Sequence, residues 1–151
     1  MSPYPLDPVR AIGPMRLVLT AYPSDAAAGR AVTSVLERRL AACANVLPIE
    51  SRYWWKGKLE SAPESLVLFK TVPKRVGALL AFLEGSHPYE TPEIVEVDVS
   101  RVNARYLAYL AATLGEVRLR ARPRPRRRGG RRGRAAPAPE RTRARPRLRS
   151  R

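Results

Sequence analysis

Two side chains in this sequence have the chemistry of a transition-metal ligand, and each is the only one of its type. Cys43 offers a thiolate, which copper(I) favours, and His87 offers an imidazole, which suits copper in general. One cysteine and one histidine are too few for a tight site, although a threefold arrangement of copies could multiply them. The plainer interpretation is that Cys43 packs as a small buried residue and that His87 makes a hydrogen bond within a loop.

Three consecutive aromatic residues, Tyr53, Trp54 and Trp55, precede a lysine-flanked turn at Lys56–Lys58. Exposed aromatic rings at the end of a strand can stack on nucleic-acid bases. They more often anchor protein interfaces, because tyrosine and tryptophan bury a large area and still form hydrogen bonds. Alternation along a strand sends Trp54 and Trp55 to opposite faces. We therefore interpret the three aromatic residues as interface anchors and expect a neighbouring subunit to bury at least one tryptophan.

Motifs that would indicate an enzyme are missing from the sequence. It contains no nucleophilic serine motif, no glycine-rich phosphate loop and no metalloprotease helix, so we predict that the protein is not an enzyme. A single cysteine cannot form an internal disulfide, and no secretory signal or long apolar run is present. These features predict a cytoplasmic protein that does not contact a membrane.

The elements that must position these residues are predicted from apolar periodicity and turn residues. Ser24 is a suitable helix N-cap, and Gly85 and Gly115 are suitable helix ends. Pro48 predicts an edge strand or a bulge, and Pro63 predicts an interruption of its strand. The predicted elements are a strand at 16–22, a helix after Ser24, a strand at 43–55, a returning strand in two pieces at 59–60 and 66–71, a helix from 73, a strand at 94–99 and a helix from 103. This order predicts an α+β, ferredoxin-like βαββαβ sandwich with a long hairpin and a C-terminal helix.

The apolar pattern of two strands also predicts an oligomer. Residues 17–19 and 66–69 are apolar at consecutive positions, so both faces of those strands need cover. Right-handed crossovers place the two main helices on one face only. Because residues 1–117 offer no second layer, another copy of the chain is the simplest cover, and we expect an obligate oligomer.

The net charge of +16 is concentrated at one end of the chain. Residues 118–151 contain sixteen arginines and one acidic residue, Glu140, whereas residues 1–117 contain thirteen basic and twelve acidic residues. We predict a flexible leader at 1–14, a folded domain at 15–117 and a disordered Arg/Pro-rich tail at 118–151. Such a tail is suited to non-specific contact with nucleic-acid phosphates, and a solubilising extension is the alternative.

Three segments of the folded part resemble motifs of the CutA divalent-cation-tolerance family. They are RLAACAN at 39–45, YWWKGKLE at 53–60 and HPYETPE at 87–93. The resemblance covers residues 16–115 and implies a homotrimer of ferredoxin-like subunits linked to tolerance of divalent metals, copper above all. It also implies that polar residues line clefts near subunit contacts: Glu60, Lys70, Tyr89, Glu90 and Glu93.

The resemblance also limits the metal site. Some relatives carry a cysteine on the first strand and a pair of histidines before the Pro-Tyr step, where this sequence has Leu19 and Ser86. Of that set only His87 is present, so we take His87 and Cys43 as the candidate ligands for copper or another divalent metal, with no cofactor required. The alternative is a regulatory or scaffold trimer, similar to PII signalling proteins, that binds a small molecule or a partner protein at the clefts.

Overall fold

A computed structural model describes residues 15–116 of the chain. The predicted leader and tail lie outside the described residues. The elements are β1 (Arg16–Tyr22), α1 (Asp25–Glu37), β2 (Cys43–Trp55), β3 (Lys58–Thr71), α2 (Pro73–Ser86), β4 (Ile94–Asp98) and α3 (Ala104–Thr113). Among residues 15–116, no helix is long and apolar enough to cross a membrane.

Local sequence signals start and end the helices. The Ser24 hydroxyl accepts a hydrogen bond from the Ala27 N–H at 3.2 Å, and the Asn103 side chain accepts one from the Tyr106 N–H at 2.8 Å. Gly115 follows α3 with φ +75°, the left-handed conformation that favours glycine. The prediction for Gly85 is wrong, because α2 continues through it to Ser86.

The four strands form one antiparallel sheet in the order β2-β3-β1-β4. Helices α1 and α2 cover one face, which we call the helix face. The core beneath them contains buried side chains from both central strands, including Val18, Tyr22, Val67 and Phe69. The predicted ferredoxin-like α+β fold is thereby confirmed.

The hairpin of β2 and β3 is much longer than its neighbours. Its register is unbroken from Cys43, opposite Lys70, to Trp55, opposite Lys58. Lys56 and Gly57 make the turn with φ of 48° and 78°, as a two-residue hairpin of the primed type requires. Because β1 ends at Tyr22, opposite Ser65, the outer half of the hairpin is a two-stranded ribbon.

The prolines of the hairpin are accommodated without a break. Pro48 lies on β2, which is an edge strand as predicted, and no bulge occurs there. Pro63 does not interrupt β3, in contrast to the prediction, and pairs with Glu50. Pro63 lies before β3 comes alongside β1, so one side of β3 has no neighbouring strand there and needs no proline N–H.

The face of the sheet opposite the helix face, here called the open face, is partly covered by the chain itself. Helix α3 packs over one end of it, in a cluster with Met15, Leu17 and Val72. This corrects the expectation that residues 1–117 offer no second layer. Large apolar side chains farther along this face stay exposed, including Leu47 (41%), Val95 (40%) and Val97 (38%).

Candidate functional site

The end of β1 creates a notch beside the outer half of the hairpin. Beyond Tyr22 no strand flanks β3, and the segment 87–93 lies next to this gap. The Tyr89 hydroxyl donates a 2.6 Å hydrogen bond to Glu64 Oε1, which ties the segment to the hairpin. A cavity of about 780 Å³ opens here, within the usual size range of small-ligand pockets, and we call it the hairpin cleft.

The lining of the hairpin cleft combines aromatic rings with carboxylates. Its charged and aromatic residues are Arg52, Tyr53, Trp55, Glu64, Tyr89, Glu90 and Glu93. Three acidic groups face one basic group, so the cleft carries net negative charge. Burial and the hydrogen bond to Glu64 raise the pKa of Tyr89 well above its usual range, so its hydroxyl stays protonated at neutral pH. The arrangement suits a cationic or metal-containing ligand better than an anion.

His87 sits at the start of the same segment and faces the helix face. Its Nδ1 accepts a hydrogen bond from the Tyr89 N–H at 3.1 Å, so the neutral ring carries its proton on Nε2, 3.1 Å from Thr20 Oγ1. The ring also stacks on Tyr22, with centroids 4.5 Å apart. Burial lowers the pKa of His87, and the Ala21 backbone and Glu64 have smaller effects in the opposite direction. The lowered pKa favours the neutral ring.

Cys43 lies at the far end of the sheet from His87 along the strands. Its sulfur is 2.9 Å from the Tyr106 hydroxyl of α3, and its side chain is half-buried. Cys43 pairs with Lys70, whereas His87 contacts the opposite end of β1. One chain therefore does not bring the two candidate ligands together, and residues 15–116 contain no cluster of three or more metal-ligating side chains. Their role as metal ligands stays a prediction.

The hairpin cleft unites only some of the predicted site residues. Tyr53, Trp55, Tyr89, Glu90 and Glu93 line it. Glu60 is exposed opposite Tyr53, and Lys70 lies at the inner end of β3, away from the cleft. Trp54 points to the other side of the hairpin and is 72% exposed. The alternation predicted for the two tryptophans is thus present.

Several residues at or beside the hairpin cleft were not identified from the sequence, among them Arg52, Glu64 and Tyr22. Glu64 lies directly after Pro63, and the incorrect interruption of β3 obscured its place on the same hairpin face as Ser51 and Tyr53. Counting the register outward from the Lys56–Gly57 turn would have placed it there. Tyr22 was assigned to the first strand, but its contact with His87 joins residues 65 positions apart. No local pattern gives such a contact.

The similarity to known proteins covers the part of the chain that the structure describes. A sequence model of the family described as CutA1 divalent ion tolerance protein matches residues 16–113. The chain is 43% identical over 99 residues to the divalent-cation tolerance protein CutA of Pectobacterium atrosepticum, covering 65% of this chain and 90% of that protein. It is 36% identical over 105 residues to the CutA homolog of Xenopus laevis, covering 69% and 70%.

Solved structures with the same fold carry the same family name. CutA from Xylella fastidiosa superposes with a TM-score of 0.65 at 32% identity, covering 68% of this chain and 99% of that one. The periplasmic divalent cation tolerance protein CutA from Archaeoglobus fulgidus superposes with a TM-score of 0.64 at 31% identity, covering 66% and 98%. The shared region runs from β1 to α3.

Proposed function

Because the chain belongs to the CutA1 divalent ion tolerance family, we propose that it acts in the response to divalent cations as a non-catalytic homotrimer. The resemblance predicted from the three motifs is confirmed by this membership. The absence of catalysis is supported only by the relatives' names, which describe tolerance proteins. The cytoplasmic location stays a prediction, since the Archaeoglobus fulgidus relative is described as periplasmic.

The exposed apolar surface of the hairpin and open face supports the oligomer. A two-stranded ribbon is marginally stable in water without a packing partner. Here the ribbon exposes large side chains on both sides, Trp55 at 46% and Trp54 at 72%, with Leu59 at 64% opposite Trp54. A second copy that covers this surface would also close the hairpin cleft, whose outer wall is the same ribbon.

The hairpin cleft is the observation that carries the proposed cation role. Glu64, Glu90 and Glu93 line the cleft and would supply oxygen donors. Within residues 15–116 they form no preassembled metal cluster, so a cation would have to draw them together. His87 lies beside the cleft through its ring contact with Tyr89, at 5.4 Å between centroids. Imidazole and carboxylate together suit divalent copper. His87 already uses both ring nitrogens, so binding copper would require one of its hydrogen bonds to open. Cys43 is too remote in the fold to join this donor set within one copy.

Calorimetric titration of the full chain with copper(II) and copper(I) tests this assignment. We expect His87→Ala and Glu90→Gln each to weaken copper(II) binding at least tenfold while the oligomer persists in light scattering. Cys43→Ala is the matched control and should leave copper(II) affinity unchanged. Equal, weak binding by all four proteins would remove the cleft as a copper site, and a sole effect of Cys43→Ala would move the site to α3.

The second candidate is a regulatory trimer that binds a small organic molecule in the hairpin cleft. The specific observation in its favour is the aromatic lining by Tyr53, Trp55 and Tyr89, which a bare metal ion does not use. Thermal-shift measurements with small organic cations and with metal ions separate the two candidates. A shift caused by metals alone contradicts this one, and a shift abolished by Tyr89→Ala but retained in His87→Ala supports it.

Contact with nucleic acid is a further proposal, carried by charge alone. Sixteen arginines in residues 118–151 would neutralise phosphates, and three tails on one trimer would act together. This segment lies outside the described residues.

A further inference from the structure

A second cavity, of about 190 Å³, lies on the helix face between α1 and α2 and shares no lining residue with the hairpin cleft. Tyr22 lines it from the sheet, Arg30 and Ser34 from α1, and Phe82 and Ser86 from α2, with Pro88 beyond the end of α2. We call it the α1–α2 groove. At about 30 Å³ for each water, it has room for roughly six water-sized groups.

The α1–α2 groove contains hydrogen-bond donors that have no acceptor. The Tyr22 side chain is 2% exposed, and its hydroxyl is the one buried side-chain polar atom without a hydrogen-bond partner among residues 15–116. A buried hydroxyl in this state is unusual, because desolvation is not compensated. Within the described part of the chain, the exposed Arg30 guanidinium and the half-buried Ser34 hydroxyl form no hydrogen bond or ion pair with another protein group. Three donors of one cavity are thus unused.

The charge around the groove is positive. None of its lining residues is acidic, and Arg30 supplies a full positive charge. A second guanidinium, that of Arg38, lies 4.8 Å from the centre of the Phe82 ring. The Ser86 hydroxyl already donates to the Phe82 carbonyl at 2.7 Å, so it adds no free donor. Burial raises the pKa of Tyr22 to about 12, which keeps its hydroxyl a donor at neutral pH.

We propose that the α1–α2 groove binds a small organic carboxylate, whose oxygens accept hydrogen bonds from Arg30, Ser34 and Tyr22. The planar guanidinium matches a carboxylate in a bidentate arrangement. The apolar walls, including the rings of Phe82 and Pro88, suit a short hydrocarbon body. Phosphate fits less well, because one guanidinium and two hydroxyls leave part of its charge without a partner. All of the lining residues come from one copy, so the site depends on neither the trimer nor the cleft.

Titration of the full-length protein with benzoate, followed by calorimetry and by amide chemical shifts, tests the proposal. Benzamide is the neutral ligand control, and inorganic phosphate is the competing anion. We expect saturable benzoate binding that weakens at least tenfold in Arg30→Gln and threefold or more in Tyr22→Phe. Arg105→Gln removes an exposed arginine from α3 and is the matched control, with no change expected. Background binding by the arginine-rich segment is the same in all these proteins.

Tyr22→Phe keeps the ring and removes only the unpartnered hydroxyl, so it provides a second readout. Without ligand this variant should unfold at the same temperature as the parent protein or higher, and benzoate should raise its unfolding temperature less. Equal benzoate affinity in the parent, Arg30→Gln and Tyr22→Phe proteins would overturn the proposal. So would benzamide binding as tightly as benzoate, or saturable binding of phosphate alone.

Discussion

Replacing Trp55 by alanine should separate the copies of the chain. Trp55 is 46% exposed in one copy, on the same hairpin face as Tyr53 and in line with Leu47 on the open face. An aromatic side chain of roughly 250 Å² leaves about 115 Å² to be buried by a neighbour. At about 25 cal/mol per Å², that area contributes ~3 kcal/mol per copy, or ~9 kcal/mol for three. Since 1.4 kcal/mol is a factor of ten, the association constant of the trimer falls by about six powers of ten. The protein concentration at which half of the chains are assembled rises by roughly a thousandfold.

This figure is an upper bound, since association also costs the ordering of the side chains that it brings together. Sedimentation equilibrium between nanomolar and micromolar concentrations measures the shift. Trp55→Phe should lie between the parent and alanine proteins, and Arg30→Gln, on the helix face, should assemble as the parent does. A parent protein that is monomeric at micromolar concentration refutes the reasoning, as does a Trp55→Ala protein that assembles at the parent's concentration.

Three further predictions concern single groups or segments. His87 is the sole histidine, and burial holds its pKa below the ordinary 6.5, so the stability that it contributes is complete above pH 6.5 and is lost as the pH falls. Urea unfolding at pH 7 and at pH 5.5 should show this loss in the parent protein and a smaller loss in His87→Gln. Glu116 accepts hydrogen bonds from Lys74 and Arg75 at 3.0 and 2.9 Å, so Glu116→Gln should lower the free energy of unfolding by about 1 kcal/mol. The Lys74 side chain is 77% exposed, so Lys74→Ala should change this free energy little. Deleting residues 118–151 should abolish binding to DNA or RNA in filter assays while the oligomer persists. Binding of nucleic acid by the full chain should weaken steeply with salt, and salt-independent binding contradicts this role.

The order of the elements was predictable because each has a local signal. Ser24 caps a helix as the sequence indicated, Asn103 caps the helix that was expected from 103, and the Lys56–Gly57 turn lies where the hairpin was expected. These features depend on residues within four positions of one another. The consecutive apolar residues at 17–19 and 66–69 were equally informative, because both runs lie in strands, and burial alternates along β3 from Ser65 to Thr71.

The errors arose where a distant element decides the outcome. Pro63 usually disrupts a strand, but β1 ends before reaching it, so its missing N–H costs no ladder hydrogen bond. Helix α3 was predicted, yet its position over Leu17 on the open face depends on the path of residues 99–103. The Tyr89–Glu64 hydrogen bond and the Tyr22–His87 stack likewise join segments that only the folded sheet brings together.

The end of β1 separates the two proposed ligand sites by a single peptide. Ala21 lines the hairpin cleft, and the adjacent Tyr22 lines the α1–α2 groove. The segment that begins at His87 touches both, since His87 stacks on Tyr22 while its hydrogen-bonded neighbour Tyr89 lines the cleft. Copper at His87 would have to open one of the hydrogen bonds that hold this segment, and the ring that stacks on Tyr22 belongs to the same residue. Any coupling between the two sites must therefore be reciprocal, and its sign depends on whether both ligands favour the same position of residues 87–89.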